Sequence, residues 1–574
     1  MADEDADLRV RSPFERATAW LGTTRDYQLT RFVILRLLGV VYVFAFLGIV
    51  LQGLPLLGSH GLTPIDSYVD RLHAAGATFW DVPSVFLWNA SDGSIVGWAY
   101  VGLAISIAVA LGYANLPMLL ALWMIYGSYE RVGQLWFGFG WEIQLLETTL
   151  IAAFLAHPWD PRPLAARPPP VAAVVLMRWL AFRIMLGAGL IKLRGSSCWT
   201  DLTCLDAHFE TQPIPNPVSG LFHHMPHAVH ATGVAFNHVV ELVAPWFVFG
   251  PRKLRLIAGC AMVAFQIVLV ASGNLAFLNW LTLVPLLACF DDDFLLAVTP
   301  RRVREWLRRR IASSVPRDGW QLAAAIAVAL FVVVIWEPMF GSASARTQVF
   351  SAALLVAAIA AAVVIPNRLT ARIGRTLDGH QLAVGCFAAL VTLKSFAVID
   401  NLAAKHQAMN RSYDRLAIVN TYGAFGSVDM VRHELVIEGS IDGEHWLAYE
   451  LPCKPGALDR RPCLLGPYHL RLDWLIWFAA MSERPRDPWI LHLVWKLLDG
   501  DTTVRQLIAV DPFGGKPPKW VRIRRFVYHL APQAADAWWT RDDEQLWLPP
   551  ITLDSPDLRE ALEQYGWPSP SQHD

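Results

Sequence analysis

The sequence has little charge and none of the motifs that mark several common enzyme classes. Only 17% of its 574 residues are charged and 54% are hydrophobic, whereas an ordinary soluble protein is about a quarter charged. The chain contains no glycine-rich phosphate loop, no HExxH zinc motif and no GxSxG nucleophile motif, so no nucleotide, metal or other cofactor is expected. The net charge of -1 argues against nucleic-acid binding, which needs excess positive charge. The composition indicates an α-helical integral membrane protein.

Long apolar runs follow a polar N-terminal segment, residues 1–31. This segment lacks the apolar run and cleavage site of a secretory signal peptide, so the first span is expected to direct insertion. Crossing the hydrocarbon takes about 20 mostly apolar residues, and the third, fourth and eighth runs are shorter. We predict about eleven spans within residues 32–399. The runs are Phe32–Leu51, Ile95–Leu111, Leu116–Tyr126, Ile143–Ala156, Val171–Leu193, Val229–Phe249, Leu256–Ala271, Leu275–Phe290, Trp320–Trp336, Val349–Ile365 and Leu382–Ile399.

Arginine-rich connectors predict the orientation, because cytoplasmic loops retain Arg and Lys. With the N-terminus in the cytoplasm and alternating spans, every strongly basic loop falls on the same side. An odd number of spans then places residues 400–574 outside, in the lumen of the endoplasmic reticulum or, for a bacterial protein, beyond the cytoplasmic membrane. The basic residues are Arg162, Arg167, Arg252, Lys253, Arg255, Arg301, Arg302, Arg304, Arg308, Arg309, Arg310, Arg368, Arg372 and Arg375.

Four of the seven cysteines form two close pairs on the predicted outside. Cys198 and Cys204 lie in the loop of residues 194–228, and Cys453 and Cys463 lie in the C-terminal region. Close pairs on an oxidising side of the membrane indicate local disulfides, with free thiols as the alternative. A zinc site is disfavoured, because neither pair has a nearby CxxC partner.

The C-terminal region, residues 400–574, is predicted to be a β-rich domain with helices. The stretches His433–Glu438 and Trp446–Tyr449 resemble two strands around a turn. Trp520–Leu530 alternates apolar and polar residues as a strand with one buried face does. Between them, Trp489–Leu498 fits an amphipathic helix.

Three aromatic residues, Trp474, Trp477 and Phe478, stand close together in this region. Aromatic side chains are favoured at the membrane interface, so these residues are candidates for a surface at the membrane. The alternative is that they form the core of the C-terminal domain.

Ionisable residues inside apolar runs are informative, because they persist in a membrane mainly when they are paired or functional. Counting about 1.5 Å per residue, Glu147, Arg183 and Glu241 reach similar depths, and His238 lies one turn before Glu241. We predict a buried polar cluster that fixes how the spans pack. A catalytic or transport role is the alternative.

The stretch Gly187–Ser219 combines a helix end, one cysteine pair and three prolines. Proline restricts the backbone and a disulfide would pin a short turn, so this loop is predicted to hold a defined shape. Its prominent polar and aromatic residues are Arg194, Trp199, Asp201, Asp206, His208 and Glu210.

This stretch resembles the lipase maturation factor family, membrane proteins of the endoplasmic reticulum that help secreted lipases to fold and assemble. The stretches Glu130–Thr148, Val419–Val428, Tyr468–Ala480 and Asp511–Leu530 resemble the same family. The resemblance implies a maturation factor without enzymatic activity, that is, a chaperone for secreted proteins, with lipases as the expected clients. Partly folded clients would be held against the outside loop and the C-terminal domain. Membrane lipids are expected as further partners. The resemblance leaves the client and the oligomeric state open. The candidate client contacts are Trp474, Trp477 and Phe478.

A more distant resemblance provides the rival hypothesis of a membrane enzyme. Ala188–Leu193 is similar to the segment of vitamin K-dependent gamma-carboxylase that holds paired lysines, one of which acts as a base. Only one lysine of this pair is present here, Lys192, and the residue before it is Ile191. This hypothesis predicts a lipid-soluble cofactor or substrate near Lys192; the alternative is a lysine that anchors the helix end or pairs with Asp201 or Glu210. The further residues expected nearby are Glu130, Arg131, Glu142 and His208.

Overall fold

The computed structural model describes residues 22–312, 379–532 and 535–567. Each predicted apolar run within these ranges contains a helix. Among these described residues, six helices are long and apolar enough to cross a membrane, and Leu278–Cys289 is a shorter apolar helix. The runs Trp320–Trp336 and Val349–Ile365 lie outside the described residues, as do Arg368, Arg372 and Arg375. The count of about eleven spans therefore stays a prediction.

The helices of the N-terminal part form a bundle of membrane type. Several begin at side-chain caps: Ser91 accepts a hydrogen bond from the Ser94 amide, and Asn115 accepts one from the Met118 amide. The helix His227–His238, α9, continues without a break through a π-helical turn, Val239–Val243, and a 3-10 turn, Ala244–Phe249. The helices are α1 Gln28–Leu57, α2 Ile65–Ala74, α3 Asp92–Ala110, α4 Leu116–Val132, α5 Gly140–Leu155, α6 Val171–Arg194, α7 Cys204–Thr211, α8 Ser219–His223, α9 His227–His238, α10 Arg252–Ser272, α11 Leu278–Leu286, α12 Asp292–Val298, α13 Arg301–Ala312 and α14 Gly379–Ala403.

The helices α1 and α3 cross closely because glycine lies at the crossing. A β-carbon on Gly39 would stand 2.5 Å from the backbone nitrogen of Ala110. Small residues allow this approach where apolar helices pack in a membrane. A side chain at Gly39 would therefore push α3 away from α1.

One end of the bundle gathers the described basic connectors. Arg31 at the start of α1 donates to the carbonyl of Ala165, 2.7 Å away, and Thr30 lies 3.1 Å from the carboxylate of Asp292. Arg252 is paired with Asp291 at 2.6 Å. The polar connectors predicted to share one side of the membrane therefore meet at one end of the bundle.

The C-terminal region contains a four-stranded antiparallel sheet in the order β2-β1-β3-β4. The predicted strands and the predicted helix at residues 489–498 are confirmed, although β2 is only two residues long. The edge strand β4 was not predicted, because its charged residues and two prolines break the alternation that marks a strand. The elements are β1 Arg432–Ser440, β2 Leu447–Ala448, α15 Arg471–Ala480, α16 Pro488–Asp499, β3 Trp520–Leu530, β4 Trp539–Ile551 and α17 Pro556–Gln564.

A single apolar core joins the bundle to the C-terminal region. The ring of Trp136, before α5, meets that of Trp489 in α16 at 5.4 Å, and the rings of Trp141 and Trp474 are 5.0 Å apart. The C-terminal region is therefore packed on the bundle over a wide area and is more than a tethered module.

Candidate functional site

A buried ion pair joins Arg183 of α6 to Glu147 of α5. Both side chains are at most 1% exposed. The other oxygen of Glu147 accepts hydrogen bonds from Asn420, through its amide and its side chain at 3.0 Å each, and from the hydroxyl of Tyr422 at 2.6 Å. Arg183 also donates to the carbonyl of Asn420 at 2.8 Å. A buried ion pair needs such additional hydrogen bonds to compensate for desolvation.

The donors Asn420 and Tyr422 belong to the segment Val419–Val428, which follows α14. This segment lies against α6, where a β-carbon on Gly187 would collide with the carbonyl oxygen of Tyr422. Glycine is needed here because the backbone of the segment approaches the helix directly. The segment is thus an integral part of the bundle.

Glu241 does not join the pair of Glu147 and Arg183. It lies in the π-helical turn after α9 and is paired with Lys192 of α6, whose Nζ is 2.6 and 2.7 Å from the two carboxylate oxygens. Asn237 donates a further hydrogen bond to Glu241 at 3.0 Å. The structure therefore divides the predicted cluster into two pairs, because equal depth in the membrane does not imply equal position around the bundle.

The pair of Lys192 and Glu241 is covered by the loop of residues 194–228. The Lys192 ammonium stands 5.2 Å from the ring centre of Trp199, and Lys192 is 4% exposed. His238 lies outside this pair; its Nε2 is 3.0 Å from the Trp199 carbonyl. Lys192 is paired with neither Asp201 nor Glu210, the two partners considered from the sequence.

A third buried pair links α5 to the C-terminal region. Arg471 of α15 donates to Glu142 at 2.9 Å, and both side chains are at most 2% exposed. The Arg471 amide is bound by the side chain of Gln52, at the far end of α1, at 2.9 Å. Glu142 also accepts from Tyr126 and Trp141. Three buried carboxylates thus have several donors each.

Both predicted disulfides are present. The bond between Cys198 and Cys204 joins Cα atoms 4.7 Å apart, and the bond between Cys453 and Cys463 joins Cα atoms 5.6 Å apart. The first pins the turn that carries Trp199, whose indole donates to the Phe425 carbonyl at 2.9 Å. This disulfide therefore helps to hold the loop on the segment Val419–Val428.

The second disulfide lies beside a buried carboxyl group. Asp473 of α15 accepts hydrogen bonds from the amides of Cys453 and Lys454 at 2.7 and 2.8 Å. Burial raises the pKa of Asp473 to about 6, although these two hydrogen bonds act in the opposite direction.

The loop of residues 194–228 is also bound to the sheet. Arg432 of β1 donates to the carbonyls of Glu210 and Pro213 at 2.7 and 3.0 Å. The side chain of Glu210 accepts from the Leu530 amide of β3 at 2.7 Å. The loop and the C-terminal region therefore form one continuous surface at this end of the bundle.

Two histidines in the first turn of α9 contact an aspartate of the same loop. Asp206 of α7 is 2.9 Å from Nδ1 of His227 and 2.8 Å from Nδ1 of His230. Partial burial raises the pKa of Asp206, but the hydrogen bonds from His230 and His227 outweigh it, so the pKa lies below its usual value. His227 is 61% exposed, whereas His230 is 4% exposed.

The remaining predicted loop residues have different surroundings. Arg194 donates to Gln407 and to the Leu402 carbonyl at 2.6 and 2.8 Å. Asp201 is exposed. His208 is buried, and burial together with the charge of Lys192 lowers its pKa to about 4. Of these three residues, Asp201 is exposed, Arg194 is half-buried and His208 is buried.

The three aromatic candidates divide between core and surface. Trp474 is 4% exposed and packs against Trp141. It therefore belongs to the core, as in the second of the two predictions, and is not available for contact with a client. The indole of Trp477 donates to the Thr211 carbonyl of the loop at 3.0 Å. Phe478 is 43% exposed, and the nearby Met481 is 39% exposed. An apolar patch, here Phe478 and Met481, thus lies beside the contact between loop and domain.

Five members of the polar contacts are not predicted from the sequence: Asn420, Tyr422, Arg471, Gln52 and Asn237. Asn420, Tyr422 and Arg471 fall within the stretches Val419–Val428 and Tyr468–Ala480, which were singled out by resemblance. Their partners are more than 200 residues away in the chain, so spacing alone carries no signal of the contact.

Within the described residues, no group of three or more His, Cys, Asp or Glu side chains is arranged to hold a metal ion. The buried charges described above are engaged with one another. These buried ion pairs and the two disulfides are suited to fixing the shape of the surface that the loop of residues 194–228 and the C-terminal region form at one end of the bundle.

Comparison with known proteins connects this arrangement to one family. The family model described as the lipase maturation factor transmembrane domain matches residues 29–297, and that of the lipase maturation factor C-terminal domain matches residues 418–549.

Similar curated proteins cover nearly the whole chain. Lipase maturation factor 1 of Bos taurus is 39% identical, over 95% of this chain and 92% of its own length. The same protein of Homo sapiens is 37% identical, over 95% and 92%. Lipase maturation factor 2 of Mus musculus is 29% identical, over 92% and 83%. No solved structure matches the chain.

Proposed function

Since the chain belongs to the lipase maturation factor family, we propose that this membrane-bound maturation factor acts by holding partly folded exported proteins. The client is held against the loop of residues 194–228 and the C-terminal domain. The names of its relatives indicate lipases as clients. The activity is one of binding, without a cofactor.

The orientation that this function requires has the N-terminus in the cytoplasm and the C-terminal domain outside. Two observations support it. The described basic connectors meet at one end of the bundle, around Arg31 and Arg252, and cytoplasmic loops are rich in such residues. Both disulfides lie away from that end, and disulfides persist on an oxidising side. The membrane is the endoplasmic reticulum in a eukaryotic cell and the cytoplasmic membrane in a bacterium.

The observation that carries the proposed contact is the position of Phe478 and Met481. They are exposed next to Trp477, whose indole is bound to the loop. Apolar side chains grouped on a surface mark interaction sites. A partly folded client presents apolar surface of its own, so burying both surfaces favours association.

Co-expression with a secreted lipase tests this contact. The double variant Phe478→Glu and Met481→Glu should reduce secreted lipase activity about fivefold or more, because a central interface residue contributes over about 1 kcal/mol. The matched control is the double variant Leu546→Glu and Leu447→Glu, which places the same two charges at other exposed apolar residues, on β4 and β2. Equal secretion with both variants, at equal membrane levels, would contradict the proposed contact surface.

A second experiment separates binding from base catalysis at Lys192. The substitution Lys192→Arg retains a cation for Glu241 but replaces the ammonium with a guanidinium that does not deprotonate. A maturation factor that works by binding should retain secreted lipase activity in this variant. Loss of that activity, with normal membrane level and normal crosslinking to the client, would overturn the binding mechanism and favour the enzyme.

A further inference from the structure

The helix α13 is the most strongly charged element among the described residues, and the proposed function does not use it. Its twelve residues contain six arginines and one glutamate, a net charge of +5. Leu307 of α13 packs with Leu29 and Leu164, so the helix lies at the end of the bundle where α1 begins. This end is remote from the loop of residues 194–228.

One face of α13 is fixed to the bundle. Leu307 is 6% exposed, and Arg304 donates to the carbonyls of Ala297 and Thr299 at 3.1 and 3.0 Å. These bonds satisfy carbonyl groups at the end of α12. The helix is therefore held in a set orientation beside the first turn of α1.

The opposite face combines arginine with exposed apolar side chains. At 3.6 residues per turn, Arg302 and Arg309 lie roughly opposite Leu307 and Arg304, and both are exposed. Trp306, which is 51% exposed, lies beside them, and Val303, which is 47% exposed, lies between Trp306 and Leu307 around the helix. Exposing valine and tryptophan to water alone does not stabilise a helix. At a membrane surface the same side chains are stabilised by contact with the headgroup layer.

We propose that this face of α13 binds the phosphate groups of anionic phospholipids at the membrane surface. The guanidinium groups of Arg302 and Arg309 contact phosphate oxygens, which they match in geometry. Trp306 enters the headgroup layer beside them, with Val303 at the edge of this face. Lipid headgroups fit better than a soluble polyanion, because the helix begins beside the first apolar turns of α1 and presents apolar side chains together with its charge.

The test uses the full-length protein in lipid nanodiscs, made of phosphatidylcholine with phosphatidylglycerol. A photoactivatable phosphatidylglycerol analogue is crosslinked, and the labelled peptides are mapped by mass spectrometry. Peptides covering residues 301–312 should be labelled, and labelling by the analogue of phosphatidylcholine should be much weaker. The double variant R302Q/R309Q should reduce labelling of this helix by about tenfold or more, since each basic residue contributes about fivefold to binding at an anionic surface.

The matched control is R484Q/R486Q, which removes two exposed arginines from the C-terminal domain and should leave labelling unchanged. Labelling of residues 301–312 should also fall when salt is raised, because salt screens exposed charges. Three results would overturn the proposal: equal labelling by the neutral analogue, no labelling of this helix, or crosslinking of α13 to a protein in place of lipid. A variant counts only if it elutes as the wild type does on size exclusion. The client assays above do not involve this helix, so the two proposals can fail independently.

Discussion

Glu147 and Asp206 are both carboxylates that accept several hydrogen bonds, but their surroundings differ. Glu147 is 0% exposed and is bound by Arg183, Asn420 and Tyr422. Asp206 is 33% exposed and is bound by two histidines. The first arrangement joins two helices to the segment Val419–Val428 in the interior, where a lost partner leaves a buried polar group unsatisfied. The second lies on the loop surface, where water can replace a lost partner. Burial therefore separates contacts that define the fold from contacts that adjust its surface.

The largest effect is expected from Arg183→Met. This change leaves the Glu147 carboxylate buried without its cation, which costs about 3–5 kcal/mol, so the membrane level and the thermal unfolding midpoint of the purified protein should fall sharply. Arg162→Met provides the control, because Arg162 is paired with Asp160 at the surface, and it should have no measurable effect. The double change Glu147→Leu and Arg183→Met should recover part of the loss. Normal insertion and stability of Arg183→Met would show that the pair does not fix the bundle.

Asp473 sharpens the comparison, because it is buried but bound by backbone amides. Its pKa in the folded protein, about 6, is above that of an unfolded chain, about 3.9. The folded protein therefore binds more protons between these values, and its stability should decrease as pH rises from about 4 to 6. Asp473→Asn keeps an oxygen for both amides and should flatten this part of the pH profile of thermal unfolding. An unchanged profile would assign the pH dependence to another group.

Replacing Cys198 and Cys204 with serine should have a smaller effect, a destabilisation of about 2 kcal/mol, because the disulfide closes a short loop. The loop should also loosen over Lys192, which faster hydrogen exchange of residues 196–211 would show. The same change at Cys453 and Cys463 serves as the comparison and should leave exchange in residues 196–211 unaltered. Equal exchange with and without the first disulfide would mean that Trp199 and its neighbours hold the loop alone.

The smallest effect is expected from His227→Ala, since its contact with Asp206 is exposed and an exposed polar contact of this kind contributes at most about 1 kcal/mol. His230→Ala should be more harmful, because His230 is buried and also bonds to the Phe222 carbonyl at 2.8 Å. Thermal unfolding of both variants, measured side by side, checks this order. The reverse order would show that exposure does not decide the strength of these contacts.

The sequence was sufficient to predict elements but not the contacts between them. Apolar runs and alternation identify helices such as α6 and strands such as β3, because these signals are local. The prediction that Glu241 joins Glu147 and Arg183 was wrong. Counting residues estimates how deep a side chain lies in the membrane, but it does not determine in which direction around the helix the side chain points. The π-helical turn at Val239–Val243 further changes which residue Glu241 faces. Asn420 and Tyr422 resemble ordinary loop residues until the fold places them beside Glu147.

The insertion of Val419–Val428 into the bundle also imposes an order on biosynthesis. Glu147 and Arg183 leave the ribosome long before Asn420, which is 237 residues beyond Arg183. Until that later segment is made, the two charged helices lack the donors that complete their environment. The interior of the nascent protein therefore remains incomplete until residues 419–428 have been translated, which ties completion of the helical bundle to synthesis of the segment that leads into the C-terminal sheet.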